Sequence, residues 1–171
     1  MKILKKWSVV LILLTAVMLV VSCGGGGGGS VTSTAPSGSG SLTLDPVTKV
    51  ISGSFTTTNV VNATLAHIHD GNIGVAGPVV VPLQQSSPGS ATWMVPANSV
   101  LTDAQIARLQ AGGYYVNVHT ALNPAGEIRG QLNPDSTTAN KFVASLNLAQ
   151  EVPTPTTPVA TSSGTGVMGG Y

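Results

Sequence analysis

The 171 residues carry seven Lys or Arg against six Asp or Glu, a formal net charge of +1, and only 8% of positions are charged. Three of the five lysines stand at positions 2, 5 and 6, so the rest of the chain keeps Lys49, Lys141, Arg108 and Arg129 against six carboxylates, about −2. So sparse a charge argues against nucleic-acid binding, which needs clustered cations on phosphate, and supplies no polybasic patch for anionic lipid.

Taken in chain order, residues 1–22 are a leader. A basic start is followed by an almost wholly apolar run from 9 to 21, and Val20-Val21-Ser22-Cys23 closes it with a small residue before cysteine. This resembles a bacterial lipoprotein signal, which implies lipidation of Cys23 as the new first residue. The other reading is an uncleaved membrane anchor. Against it, the run is short for a hydrocarbon core about 30 Å thick, and a glycine tract continues it poorly as helix. With Cys23 lipidated no thiol remains for a disulfide, a thiolate metal site or a cysteine nucleophile. Residues 23–41, dominated by Gly, Ser and Thr, read as a flexible tether reaching roughly 25 Å.

A folded region is expected over 42–132. Leu42-Thr43-Leu44 opens it, Asp45-Pro46 turns, and 49–56 is a second strand. In the strand at 63–69, Leu65, His67 and His69 share one face and Ala66 and Ile68 the other, and Asp70-Gly71-Asn72 ends it. Two prolines bound the apolar segment 78–83 and mark it as an edge; 91–95 is a further strand with Trp93 inward. One short helix follows. Thr102-Asp103-Ala104-Gln105 fits a capping box, Leu101 and Ile106 a hydrophobic staple, and Gly112 or Gly113 the left-handed end.

The clearest element is a hairpin. Strict alternation puts Val116, Val118, Ile128 and Leu132 on one side, and Tyr115, Asn117, His119, Glu127, Arg129 and Gln131 on the other, joined through Asn123-Pro124-Ala125-Gly126. The same rule predicts that Tyr114 and Tyr115 are not both buried. Residues 133–140 read as a polar linker. In 141–171, Phe142-Val143-Ala144-Ser145-Leu146-Asn147-Leu148 alternates as a new strand. The fold class expected is all-β, an antiparallel sandwich or barrel-like domain with one short helix.

Ala66-His67-Ile68-His69-Asp70, Gly77-Pro78-Val79-Val80, Tyr115-Val116-Asn117-Val118-His119-Thr120 and Gly126-Glu127-Ile128-Arg129-Gly130-Gln131-Leu132 together resemble the CHRD domain, named after chordin. The resemblance implies an extracytoplasmic β module used for binding or structure. Such domains open with a strand and a Glu-Val-Pro segment; here the segment that looks like that opening, 142–153, stands after the domain. It is either the start of a truncated second repeat or a permuted strand that completes the first, and an orphan alternating strand would expose its apolar face.

His67, His69 and His119 are all the histidines in the chain. Imidazoles two apart on a strand, with a third from another strand, can hold Zn or Cu. The bland alternative is that they hydrogen-bond Asn117, Thr120, Asp70 or Glu127 and fix strand register. The His-x-His strand loosely resembles the copper-ligand strand of Cu/Zn superoxide dismutases, but the further histidines of that enzyme are missing. Glu127 and Arg129, sharing a face with Asn117, are expected to form a surface ion pair worth about 0–1 kcal/mol. Neither a nucleophile elbow nor a phosphate loop is present. These features point to a non-enzymatic, lipid-anchored module of the cell envelope. Without Asp after Cys23, the outer membrane is the expected location, whether facing the periplasm or exposed at the surface. Its ligand would be a protein or polysaccharide and its cofactor none; the alternative is a Zn or Cu module.

Overall fold

The structure, a computed structural model, describes residues 35–155. The leader, Cys23, the tether up to residue 34 and the tail from 156 lie outside the described residues. Eleven strands and one helix follow in order: β1 (Ser37–Leu44), β2 (Val50–Thr58), β3 (Ala63–Asp70), β4 (Val79–Pro82), β5 (Gln84–Gln85), β6 (Thr92–Met94), β7 (Ser99–Val100), α1 (Asp103–Gln110), β8 (Tyr114–Thr120), β9 (Ile128–Gln131), β10 (Asn133–Pro134) and β11 (Lys141–Asn147). They form one antiparallel sheet in the order β4-β3-β8-β9-β11-β1-β2-β6-β5, with β10 on β11 and β7 on β2. Only Leu83 separates β4 from β5, so one extended segment lies on both edges of the sheet and nearly closes it into a barrel.

The apolar side of each strand fills the interior. Leu42, Ile51, Phe55, Ile68, Val116, Val118, Ile128 and Leu146 are all buried there, with Trp93 from β6 and Leu109 from α1. The helix begins as its sequence dictates. Gln105 N donates to Thr102 Oγ1 at 3.3 Å and Thr102 N to Gln105 Oε1 at 2.9 Å, while Gly112 ends the turn at φ +69°. Arg108 Nε donates to Asp70 Oδ1 at 2.8 Å, tying the helix to the end of β3. Among the described residues no helix is long and apolar enough to cross a membrane.

Two boundaries differ from expectation. The first strand starts at Ser37, so residues 37–41, expected in the tether, pair with β2 on one side and β11 on the other. Ser-Gly-Ser-Gly shows no apolar alternation because Phe55 covers Gly40: a Cβ there would run into Ser54 O and the Phe55 backbone. In the expected linker, Asn133 and Pro134 pair with Val143 and Phe142. β11 itself lies inside the sheet, antiparallel to β1 from Ser37↔Asn147 to Thr43↔Lys141 and meeting β9 at Asn147↔Arg129. Its inward side chains, Phe142, Ala144 and Leu146, are buried in the core.

Candidate metal centre

The polar side of β3, β8 and β9 is not a solvent face. In register, His67 stands opposite Asn117, His69 opposite Tyr115, and Asn117 opposite Arg129, and three loops lie across them. The 71–77 loop is held where Arg129 Nη2 donates to Asn72 O, Gln131 Nε2 to Gly71 O, both at 2.8 Å, and Gly77 N to the Tyr115 hydroxyl at 3.1 Å. The β8–β9 connection is held by Asn117 Nδ2 on Ala125 O at 3.1 Å. The third cover, after a 3-10 turn at Leu148–Gln150, brings Glu151 onto Asn117 Nδ2 at 3.3 Å.

Within this layer the three imidazoles converge. Each offers a ring nitrogen, and these atoms all lie within 4.8 Å of one another. His69 Nδ1 lies 2.9 Å from Gly77 O and His119 Nδ1 3.0 Å from Pro124 O. A carbonyl only accepts, so in both neutral rings the proton sits on Nδ1 and Nε2 is bare. His69 Nε2 is buried without a partner, whereas His119 Nε2 is 3.1 Å from His67 Nδ1, which must then be the donor. Two imidazoles whose Nδ1 is locked by a backbone carbonyl, leaving Nε2 as the donor atom, are what a metal asks of its ligands. The 3.1 Å separation is already near the ~3.3 Å between two nitrogens on a tetrahedral ion at about 2.05 Å. Of the side-chain partners expected for a register-fixing role, none of Asn117, Thr120, Asp70 or Glu127 bonds an imidazole side chain; the acceptors are carbonyls of the covering loops.

All three rings are held below the ordinary histidine pKa, first by burial. The His69 charge adds to this at His67, the Arg129 charge at His69, and the other two histidines at His119, while the carbonyl bonds at His69 and His119 pull the other way. The rings are therefore neutral and free to ligate near pH 7. A depressed base binds fewer protons folded than unfolded, so its contribution is complete above about pH 6.5 and is lost as pH falls through the lowered folded values. Glu151, raised by burial, acts with opposite sign above its ordinary value. The melting temperature of metal-free protein is thus expected to drop from pH 7.5 to 5.5, with a shallower slope in His119→Gln. A pH-independent melting point over that range would contradict it.

A family model for the CHRD domain matches residues 25–132, well over half of the chain. The chain belongs to the CHRD domain family. No curated protein and no solved structure is found to match it. Membership in the family suggests a binding or structural module. The three histidines, Asn117, Glu127 and Arg129 of this CHRD domain all lie inside the matched stretch, while β11 and Glu151 lie beyond it.

Two expectations for the CHRD hairpin are corrected. Glu127 and Arg129 are not a surface pair: they are 5% and 1% exposed, and among the described residues no ion pair joins them. Glu127 is next to Asn123 Nδ2 at 3.4 Å, and Arg129 Cζ sits 3.4 Å over the Tyr115 ring. Tyr114 and Tyr115 are both buried, because Tyr114 enters the core while the 71–77 loop covers Tyr115 on the other side. Tyr115 also stacks on His69 at 5.0 Å between centroids. The residue that sequence reasoning left without a role is Glu151. Its only signal was the Glu-Val-Pro that the family resemblance placed ahead of the domain.

Proposed function

We propose that this CHRD domain is a non-enzymatic metal-binding module of the cell envelope, holding one copper or zinc ion on His67, His69 and His119 and tethered through lipid on Cys23. The observation that carries the metal reading is His69: a buried imidazole whose Nδ1 is committed to Gly77 O and whose Nε2 has no partner beside two further imidazoles. Leaving such a nitrogen dry costs about 1–3 kcal/mol, which an ion would recover. Neutral nitrogen donors suit both metals, and copper(II) should bind more tightly than zinc. Purified without a histidine tag, the protein is expected to take up one equivalent of copper or zinc in an equilibrium titration. No saturable uptake at micromolar metal would refute the reading.

The anchoring part rests on the leader and Cys23 alone. Cys23→Ser is expected to move the protein from the membrane fraction to the soluble extract of whole cells. Unchanged membrane association would speak against lipidation. With Gly24 rather than Asp after the cysteine, the outer membrane is the proposed destination.

A further inference from the structure

We infer that the ion held by His67, His69 and His119 keeps one coordination position open, and that this position takes a small inorganic anion. The inference rests on the metal reading and adds to it what the loaded site binds. The ligand atoms of the three imidazoles lie within 4.8 Å of one another, and among the described residues no Asp, Glu or Cys stands within that distance of all three. Zinc closes a structural site with four protein ligands, whereas three protein ligands leave a fourth place for water or another small molecule. Copper(II), which prefers a tetragonal set, is likewise one donor short.

The neutral side chains next in register are committed elsewhere. Asn117, across from His67, gives Nδ2 to Ala125 O at 3.1 Å and to Glu151 Oε1 at 3.3 Å, and its amide stands against Gly126, where a Cβ would run into both amide atoms. Tyr115, across from His69, accepts Gly77 N on its hydroxyl at 3.1 Å and lays its ring on the imidazole. His67 is the way in. His69 and His119 are each 8% exposed, with the carbonyls of Gly77 and Pro124 on their Nδ1 atoms. The His67 ring is only half-buried, and among the described residues it is hydrogen-bonded to His119 alone. Beside it on the same face Leu65 is 55% exposed, and Pro82, its partner on β4, is exposed as well.

Charge and space select the occupant. Three neutral imidazoles leave a divalent ion with both of its charges uncompensated, and with no carboxylate in the ligand set an anion in the open place is favoured over a neutral donor. Leu65 and Pro82, on the open side, bring no charge of their own to repel or replace it. Two of the three rings are more than nine-tenths buried, so the free position is reached past His67 only. That narrow approach suits a monatomic or linear anion such as hydroxide or azide, and disfavours a tetrahedral phosphate.

The test loads the full mature chain with one equivalent of copper(II), passes it through a gel-filtration column, and titrates it with sodium azide, and separately with inorganic phosphate, at constant ionic strength. Azide is expected to raise a saturable azide-to-copper charge-transfer absorption with a dissociation constant of roughly millimolar order, while the copper stays with the protein on ultrafiltration. Phosphate at the same concentrations should leave the visible and electron paramagnetic resonance spectra of the copper unchanged. The copper-free protein should give no such absorption, and His69→Ala, treated in the same way, should lose copper and absorption together. No charge-transfer absorption by about 50 mM azide, azide that strips the copper into the filtrate, phosphate binding as tight as azide, or an equal absorption in His69→Ala would overturn the inference. Copper retention is read before azide is added, so the two failures are distinct: a chain that holds no copper ends both readings, and one that holds copper but ignores azide keeps the metal site and ends only the open position.

Discussion

A chain cut after Asn140 is expected to have no folded state, although the family match ends at residue 132. β11 is the strand that joins β9 to β1, and without it the sheet is severed in the middle. Phe142 and Leu146 are nearly wholly buried, and removing each from the core forfeits about 1.5–3 kcal/mol of burial before any hydrogen bond is counted. Two unpaired strands, β1 and β9, would then face water along their inner edges. The sum is comparable with the ~5–15 kcal/mol that holds a whole domain together. Circular dichroism of residues 24–140 should show no cooperative melting. A synthetic peptide covering 139–155, added in excess, should restore it by re-forming the ladder with β1. Cooperative unfolding of the truncated chain alone would show instead that β11 is an accessory.

That dependence was only partly legible in the sequence. The alternation in 142–148 signals a strand with one apolar face, but periodicity says nothing about which edge a strand joins; its insertion between β1 and β9 is set by long-range pairing alone. The reverse held at Ser37-Gly38-Ser39-Gly40, where composition read as tether. Those residues are strand because two neighbours flank them and because only a residue without Cβ lets the Phe55 backbone approach Gly40. Period-two reasoning grouped Tyr115, Asn117, His119, Arg129 and Gln131 on one face correctly. It could not tell whether water or loops lie over that face. That is why Tyr114 and Tyr115 were expected to differ in exposure, and why Arg129 was expected to pair with Glu127 at the surface. The start of the helix was legible to the residue since its capping box is a local hydrogen-bond pattern that owes nothing to distant contacts, while its left-handed end, open between Gly112 and Gly113, falls at Gly112. Glu151 was the least visible part of the site. It reaches Asn117 across 34 positions of sequence, and no local rule connects them.

His69→Ala is expected to abolish metal-dependent stabilisation while leaving the metal-free fold close to wild-type stability. The substitution loses the Nδ1 bond to Gly77 O and the stack on Tyr115, about 1 kcal/mol each. It also removes the dry Nε2, a relief of similar size and opposite sign, so the metal-free melting temperature should move little. Metal binding behaves otherwise. At a free ion concentration a thousand times the dissociation constant, the wild type gains about 4 kcal/mol, which for a domain of this size corresponds to a rise of roughly 10–20 °C. Two imidazoles in place of three should weaken binding on the order of a hundredfold or more and erase most of that rise. A register-fixing role for His69 makes the contrary forecast. The metal-free variant would then melt several degrees lower, and added copper or zinc would leave wild type and variant equally unmoved. Calorimetry of both proteins with chelator and with excess ion separates the two, because the metal role places the loss in the difference between those conditions and the structural role places it in the chelated sample alone.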